Sequence, residues 1–259
     1  MNYGVVDLTN HESIRILPLG DLHVGSPVFL ESKFRKIVRY IQENDDVYTV
    51  LMGDLIDNAT KYSIGNVYEN EMSPQEQLDY LMKSLEPIKK KILGIVSGNH
   101  ENRTLKATGL DILAILASFF NCYYDRNILI LDINVGSNAP TSKRRINYVF
   151  EIAHGFGGGR TPGGALNNAF KFGDLVVNAD VVLTGHVHKP MDGENTFLIV
   201  DKRNKVVQVH KQLIMVIPSL LGWEDYAQQR AYRPPSNSLY ELTLNGSSKE
   251  ITITKTIKY

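Results

Sequence analysis

Asp21-Leu22-His23, Asp54-Leu55-Ile56-Asp57, Asn99-His100-Glu101, His154-Gly155 and His186-Val187-His188 follow one another down the chain, four of the five directly after a glycine. Carboxylate and amide oxygens mixed with imidazole nitrogens, without thiolate, form a donor set that divalent transition metals select. Five of the seven histidines fall inside these motifs. The chemistry they suggest is that of two metal ions acting together on a substrate with oxygens to polarise. Two such ions need a bridging ligand, and an anionic carboxylate at a strand end supplies one while offsetting their repulsion; Asp54 is the natural bridge. Asp21 and His23, two residues apart, can reach one ion together. His186 and His188 have the same spacing and can divide between two, and Asn99 adds a neutral oxygen. Any one of these pairs is commonplace on a surface or in a core, whereas all five in order are not.

Each motif closes a short apolar run: Ile14 to Leu19, Tyr48 to Met52, Ile92 to Val96, Tyr148 to Ile152 and Ala179 to Leu183. These runs read as buried strands that deliver ligands at their carboxyl ends. Between them lie helical signals. Ser73-Pro74-Gln75-Glu76 is a capping box with proline at the first helical position, followed by Leu78, Leu81, Met82 and Leu85 at helical spacing. Phe34, Ile37, Val38 and Ile41 form one face of another helix, and further helices are expected over Leu110 to Phe120 and Leu166 to Val177. Strand alternating with helix implies an α/β core with its site in the loops at the strand ends. After Pro190 the pattern turns β-rich, with strands over Thr196 to Val200, Val206 to His210, Leu213 to Ile217, Leu239 to Leu244 and Ile251 to Ile257, and hairpin turns at Asp201 to Lys205 and Asn245 to Lys249. The expected organisation is a single domain over 1–259, with a motif-bearing core at 14–190 and a β-rich part at 191–259 completing a second sheet.

The 259 residues and 43% hydrophobic content suit one large core. Lys+Arg and Asp+Glu both total 28, so no bulk field draws the chain to nucleic acid or an acidic membrane, and a polyanion must be held locally. Cys122 is the only cysteine, which excludes an internal disulfide and points to a reducing compartment. Neither a leader pattern nor an apolar run of membrane-spanning length is present. The expectation is a soluble cytoplasmic protein with no membrane partner.

The ordered motifs resemble those of the calcineurin-like metallophosphoesterases: Asp-x-His, Gly-Asp-x-x-Asp, Gly-Asn-His-Asp/Glu, His, and Gly-His-x-His, all complete between residues 20 and 188. The resemblance implies a four-layer αββα sandwich with two mixed β-sheets, in agreement with the α/β pattern. It implies two divalent metal ions, Mn²⁺ foremost, with Fe, Zn²⁺, Ni²⁺ or Mg²⁺ as alternatives. Asp21, His23, Asp54 and His188 would hold the first, and Asp54, Asn99, His154 and His186 the second. It further implies direct attack of a metal-bound hydroxide on phosphorus, without a covalent intermediate. His100 would stabilise or protonate the leaving oxygen, and Asp57 would orient it; capping the loop after the second strand is an alternative role for Asp57.

The substrate is read from the neighbouring loops. His154 opens a glycine-rich stretch whose Gly158, Gly159 and Arg160 could cradle a phosphate, or simply connect to the helix after Pro162. Arg103 is a second candidate phosphate contact, or an ordinary surface arginine. Tyr62 and Tyr68 could stack on a base or pack their own loop. Lys143-Arg144-Arg145 reads as a solvated turn, and Trp223 to Pro235 as a lid or dimer contact. Ser/Thr protein phosphatases usually carry arginine after Gly-Asp-x-x-Asp and lack Gly-His-x-His; here Asn58 follows Asp57 and Gly185-His186-Val187-His188 is intact. The likeness is therefore to the phosphodiesterase and repair-exonuclease branch, and to phage and bacterial metallophosphoesterases labelled as possible DNA exonucleases. The expected substrate is a phosphodiester in nucleic acid or a nucleotide, acted on in the cytoplasm, and a homodimer is admitted. A phosphomonoesterase or protein phosphatase is the alternative. Zero net charge and no room for a DNA-capping domain speak against a processive nuclease. A non-catalytic scaffold typically lacks a ligand or the catalytic histidine, and neither is missing here.

Overall fold

The computed structural model describes all residues except 61–62, 64–69, 137–144, 159–161, 224–233, 237 and 257–259. Twelve strands among the described residues form two six-stranded mixed sheets. The first contains β1 (Asn2–Leu8), β6 (Ile128–Val135), β7 (Ile146–Ala153), β8 (Val181–Thr184), β10 (Val206–Val216) and β9 (Met191–Asp201), in that spatial order. The second runs β12 (Ile251–Thr256), β11 (Leu239–Asn245), β2 (Ser13–Ile16), β3 (Val47–Leu51), β4 (Ile92–Val96) and β5 (Tyr123–Asp125). β2 to β5 are parallel to one another. β3 and β4 are buried at all five positions, as expected of parallel strands covered on both faces.

Three helices lie against the outer face of the second sheet: α1 (Glu31–Glu43), α2 (Pro74–Leu85) and α4 (Ile112–Phe120). Phe34, Ile37, Val38 and Ile41 of α1 are all buried, and the Ser73–Glu76 capping box opens α2. Between the sheets, Ile16, Val50 and Met52 meet Leu131, Phe150 and Leu183. On the far side α5 (Pro162–Gly173) sets Ala169 over Val182 and Ile214. The result is the expected four-layer αββα sandwich. None of the described helices is long and apolar enough to cross a membrane.

Several elements depart from the sequence reading. α4 starts at Ile112 rather than Leu110, behind Asp111, whose side chain accepts from the Ala114 amide. α5 begins at Pro162, a favoured first helical residue, and ends at Gly173 rather than Val177, where helix propensity drops. Residues 191–259 do not complete the second sheet alone. β9 and β10 extend the first sheet through β8, whereas β11 and β12 join the second through β2, because each hairpin must satisfy an otherwise open strand edge. β1, β5 and β6 were not expected, since no motif follows them. Neither was α3 (Glu101–Thr108), a helix with no apolar stripe whose only buried residue is Glu101.

Candidate metal centre

The five motifs converge where β2, β3, β4, β7 and β8 end. The turns there are left-handed: Asp21, His23, Asp54, Asn58, His186 and His188 have φ between 46° and 69°. Asp, Asn and His tolerate that region better than most residues, at a cost of about 1 kcal/mol or more each. Gly53 and Gly98 touch backbone to backbone, and a Cβ on Gly98 would collide with the Asp54 carboxylate. These two glycines let the second and third loops close on each other. The first loop is stitched to the second by the Asp21 and His23 amides, which donate to Gly53 O and Asp54 O, both at 3.0 Å.

Two clusters result. Asp21, His23 and His188 offer ligand atoms within 4.8 Å of one another, as do Asp54, His154 and His186, while Asp54 also groups with His23 and His100. Asp54 thus belongs to both sides. Its Oδ2 lies 3.3 Å from His154 Nε2 and 3.8 Å from His23 Nε2. Asn99 Oδ1 is 3.1 Å from His154 Nε2. Asp21 Oδ1 stands 3.3 Å from His188 Nε2, and its Oδ2 accepts from the His186 amide at 2.9 Å. Asp21 Oδ1 and His23 Nε2 are buried without a hydrogen-bond partner among the described residues. Buried polar atoms left so are costly, and both point into the cluster's own interior. The donor chemistry and these orphaned atoms fit divalent metal ions.

Electrostatics agree. Burial pushes Asp54 up, but His154, His100 and His23 hold its carboxyl well below the usual range. Burial likewise raises Asp21, and His188 and His154 bring it below its ordinary value. His154 would be lowered by burial, yet Asp54 and Asp21 raise it to about 10. Its Nδ1 faces Met52 O at 2.8 Å and its Nε2 faces Asn99 and Asp54. Acceptors at both nitrogens favour the protonated ring, and a metal ion held at Nε2 would take the place of that proton. Burial lowers His186, with the neighbouring His154 charge adding to the effect.

His100 and Asp57 lie beside the clusters. His100 Nδ1 is 2.6 Å from Asp57 O, and its Nε2 is 2.9 Å from Arg103 Nη2. Arginine has no acceptor, so Nε2 accepts and the His100 proton resides on Nδ1, donated to Asp57 O. Asp57 Oδ1 is 3.5 Å from both His23 Nδ1 and His100 Nδ1, and Oδ2 accepts from Asn70. Burial raises Asp57, but hydrogen bonds to His100 and His23 hold it far below the ordinary carboxylate value. Arg103 Nη1 also donates to Asp57 O at 3.0 Å, so this arginine is within the site and spent on protein atoms. Gly158 is exposed with open space around its Cβ position. Gly159, Arg160, Tyr62, Tyr68, Lys143, Arg144 and most of the 223–235 segment lie outside the described residues.

Glu101 received no role from its motif, yet it holds the centre together. Its buried carboxylate accepts from the amides of Asp54 (3.0 Å), Leu55 (2.7 Å), Ile56 (3.2 Å) and Gly98 (3.0 Å). The second and third loops are thereby fixed to one another. Asn58 was likewise unassigned: fully buried, it donates to His100 O at 2.6 Å and accepts from Thr104 Oγ1 at 3.0 Å. The available signal for Glu101 was an acid opening a stretch without an apolar face, which has no packing reason to be helical.

A DNA polymerase II small subunit of Thermoplasma acidophilum is 24% identical over 218 residues, 72% of this chain and 44% of that protein. The chain thus spans less than half the length of that relative. A conserved uncharacterised protein of Streptococcus pneumoniae, described as a predicted phosphoesterase, aligns over 95% of this chain and 98% of its own at 13% identity and a TM-score of 0.37. The NAD nucleotidase of Haemophilus influenzae aligns over 93% of this chain and 49% of its own at 10% identity and a TM-score of 0.42. The sequence pattern of the calcineurin-like phosphoesterases matches residues 14–190, every motif of the centre included. With that match over most of its length and a His/Asp centre compatible with divalent metals, the chain belongs to the calcineurin-like phosphoesterase family, a family of phosphoester hydrolases.

Proposed function

We propose that the protein is a dinuclear-metal-dependent phosphodiesterase acting on DNA or nucleotides in the cytoplasm. The observation that carries this reading is Asp54, which groups with His154 and His186 on one side and with His23 and His100 on the other. Asp21, His23, Asp54 and His188 would hold one ion, and Asp54, Asn99, His154 and His186 the other. When bound, such ions polarise phosphoryl oxygens and stabilise the charge that develops on them.

Charge supports a diester over a monoester. A monoester dianion needs more positive charge around it than a diester monoanion. The arginine that protein phosphatases usually carry after Gly-Asp-x-x-Asp is replaced by Asn58, which is buried and turned into α3. Arg103, the guanidinium the described residues place beside His100, is already bound to protein acceptors. The polymerase subunit among the relatives makes DNA the first polymer to test.

His100 is the residue that handles the leaving oxygen. Burial lowers its pKa, but the hydrogen bond to Asp57 and the charge of Asp54 raise it overall. A proton arriving at Nε2 must expel Arg103, because neither group can then accept. The same event supplies an acid for the leaving oxygen.

The test is hydrolysis of bis-p-nitrophenyl phosphate against p-nitrophenyl phosphate by the Mn²⁺-reconstituted protein. A diester preference is expected. His100→Ala should keep both ions by elemental analysis and lose roughly 10²- to 10⁴-fold in turnover. A monoester preference would make a phosphatase the better reading; undiminished H100A activity would remove His100 from the chemistry.

A further inference from the structure

β10 pairs with β8 only from Leu213 to Val216, but with β9 along its whole length. His210 Nε2 still faces Ala179 O at 2.8 Å, and beyond it residues 198–209 extend past β8 as a two-stranded ribbon. β10 runs parallel to β8, whose end leads into His186, so the ribbon's tip points away from the metal centre.

Register sets Leu198 opposite Val209 and Val200 opposite Val207, which puts four aliphatic side chains on one face. Alternation gives that face the parity of Leu213, Met215 and Ile217, so it continues the side on which the sheets pack. Among the described residues nothing covers it. Leu198 is 73% exposed, Val200 64%, Val209 62% and Val207 61%. An antiparallel pair of strands standing alone in water is marginal, and a contiguous apolar face on it marks a place of association. Nearer the body the same face is polar, with Asp192, Glu194 and Thr196, and the tip carries Lys202, Arg203 and Lys205.

We propose that this face is where a second copy of the chain docks, the two ribbons lying face to face and antiparallel about a twofold axis. An aliphatic patch of this kind is complementary to itself, as an isologous interface requires. The four side chains offer on the order of 400 Å² per copy, about half of the ~800 Å² that each partner gives a standard interface; flanking residues supply the remainder, and the dimer is concentration-dependent. Charge fixes the direction. At about 3.3 Å per residue, the cationic tip lies as far to one side of the aliphatic centre as Glu194 lies to the other. Antiparallel docking lays the tip of each copy over the acidic stretch of the other, where Glu194 already pairs with Lys211 at 3.0 Å. With 28 positive and 28 negative side chains, two copies have no net repulsion to overcome, and an anionic bilayer has no net charge to attract.

Sedimentation velocity of the full chain from about 1 to 100 µM should move from 29.1 kDa toward twice that mass. Leu198→Glu and Val209→Glu should each raise the dissociation constant at least roughly tenfold with unchanged diesterase activity per chain. Arg203→Glu should weaken the dimer, and adding Glu194→Arg should restore it. A single 29.1 kDa species throughout, or a dimer indifferent to L198E, overturns the proposal. Should the glutamate variants fail to fold, hydrogen exchange of the unaltered chain decides: amides of 196–210 must slow as concentration rises, and concentration-independent exchange overturns it.

Discussion

The metal centre and the β9–β10 ribbon sit at opposite ends of the molecule and break the same packing rule in opposite directions. At the centre, Asp21, His23, Asp54, Glu101 and His154 are buried, and six of the eight non-glycine residues with positive φ among the described ones crowd into its turns. At the ribbon, the strands are regular, only Lys205 at the tip has a positive φ, and aliphatic side chains face water. Polar groups inside and apolar groups outside both cost stability. What distinguishes the regions is how the cost is met. The centre offsets its own through a dense set of hydrogen bonds, Glu101 foremost, and the ribbon's partner is a surface.

The comparison predicts that the two regions respond unequally to substitution. Asp54→Ala should have the largest effect: fewer than two ions per chain by elemental analysis, and a loss of diesterase activity of roughly 10³-fold or more. A variant that still bound two ions would remove Asp54 from the bridging position. Glu101→Gln replaces an acceptor of four amides with a group that must present a donor to some of them. It should cost about 2 kcal/mol of stability by thermal unfolding and weaken metal binding roughly tenfold to a hundredfold by titration calorimetry. Intact affinity would mean that the loops hold their spacing without it.

Glu151 asks whether a buried charge outside the centre is tolerated for the same reason. It lies in mid-β7, with both carboxylate oxygens buried and unpartnered among the described residues, and burial raises it from 4.5 to about 7. Because the folded pKa exceeds the unfolded one, the protonated form favours the fold below about pH 4.5, and that contribution is lost as pH rises through 7. Glu151→Gln should therefore stabilise by about 1 to 2 kcal/mol at pH 8, after allowance for solvent screening, and change little at pH 4.5. A pH-independent difference in unfolding midpoint would show that Glu151 is not titrating. Val207→Thr on the ribbon should be the mildest change, within about 0.5 kcal/mol in the dilute monomer. A larger loss in denaturant unfolding would mean that the face is covered from within the chain.

Much of the core was legible because each motif terminates an apolar run, and α1 and α2 display their buried faces at helical spacing. β1 and β6 were illegible for a matching reason: they carry no motif, and the ladder that joins them pairs residues more than a hundred positions apart, such as Tyr3 with Ile130. α3 has no stripe to read, and its only buried side chain is held by amides of two loops, Asp54 to Ile56 in one and Gly98 in the other.

The chain by itself determined which metal-compatible side chains converge and on which strands they arrive, since residue type and strand ends are local properties. Only tertiary structure decided what surrounds them. Glu101 bridges loops 46 residues apart, Arg103 occupies the nitrogen of His100 that would face a substrate, and the C-terminal hairpins divide between two sheets. Hydrogen bonds and strand edges are satisfied by whatever the fold brings within about 3 Å, and that proximity has no signature in sequence spacing.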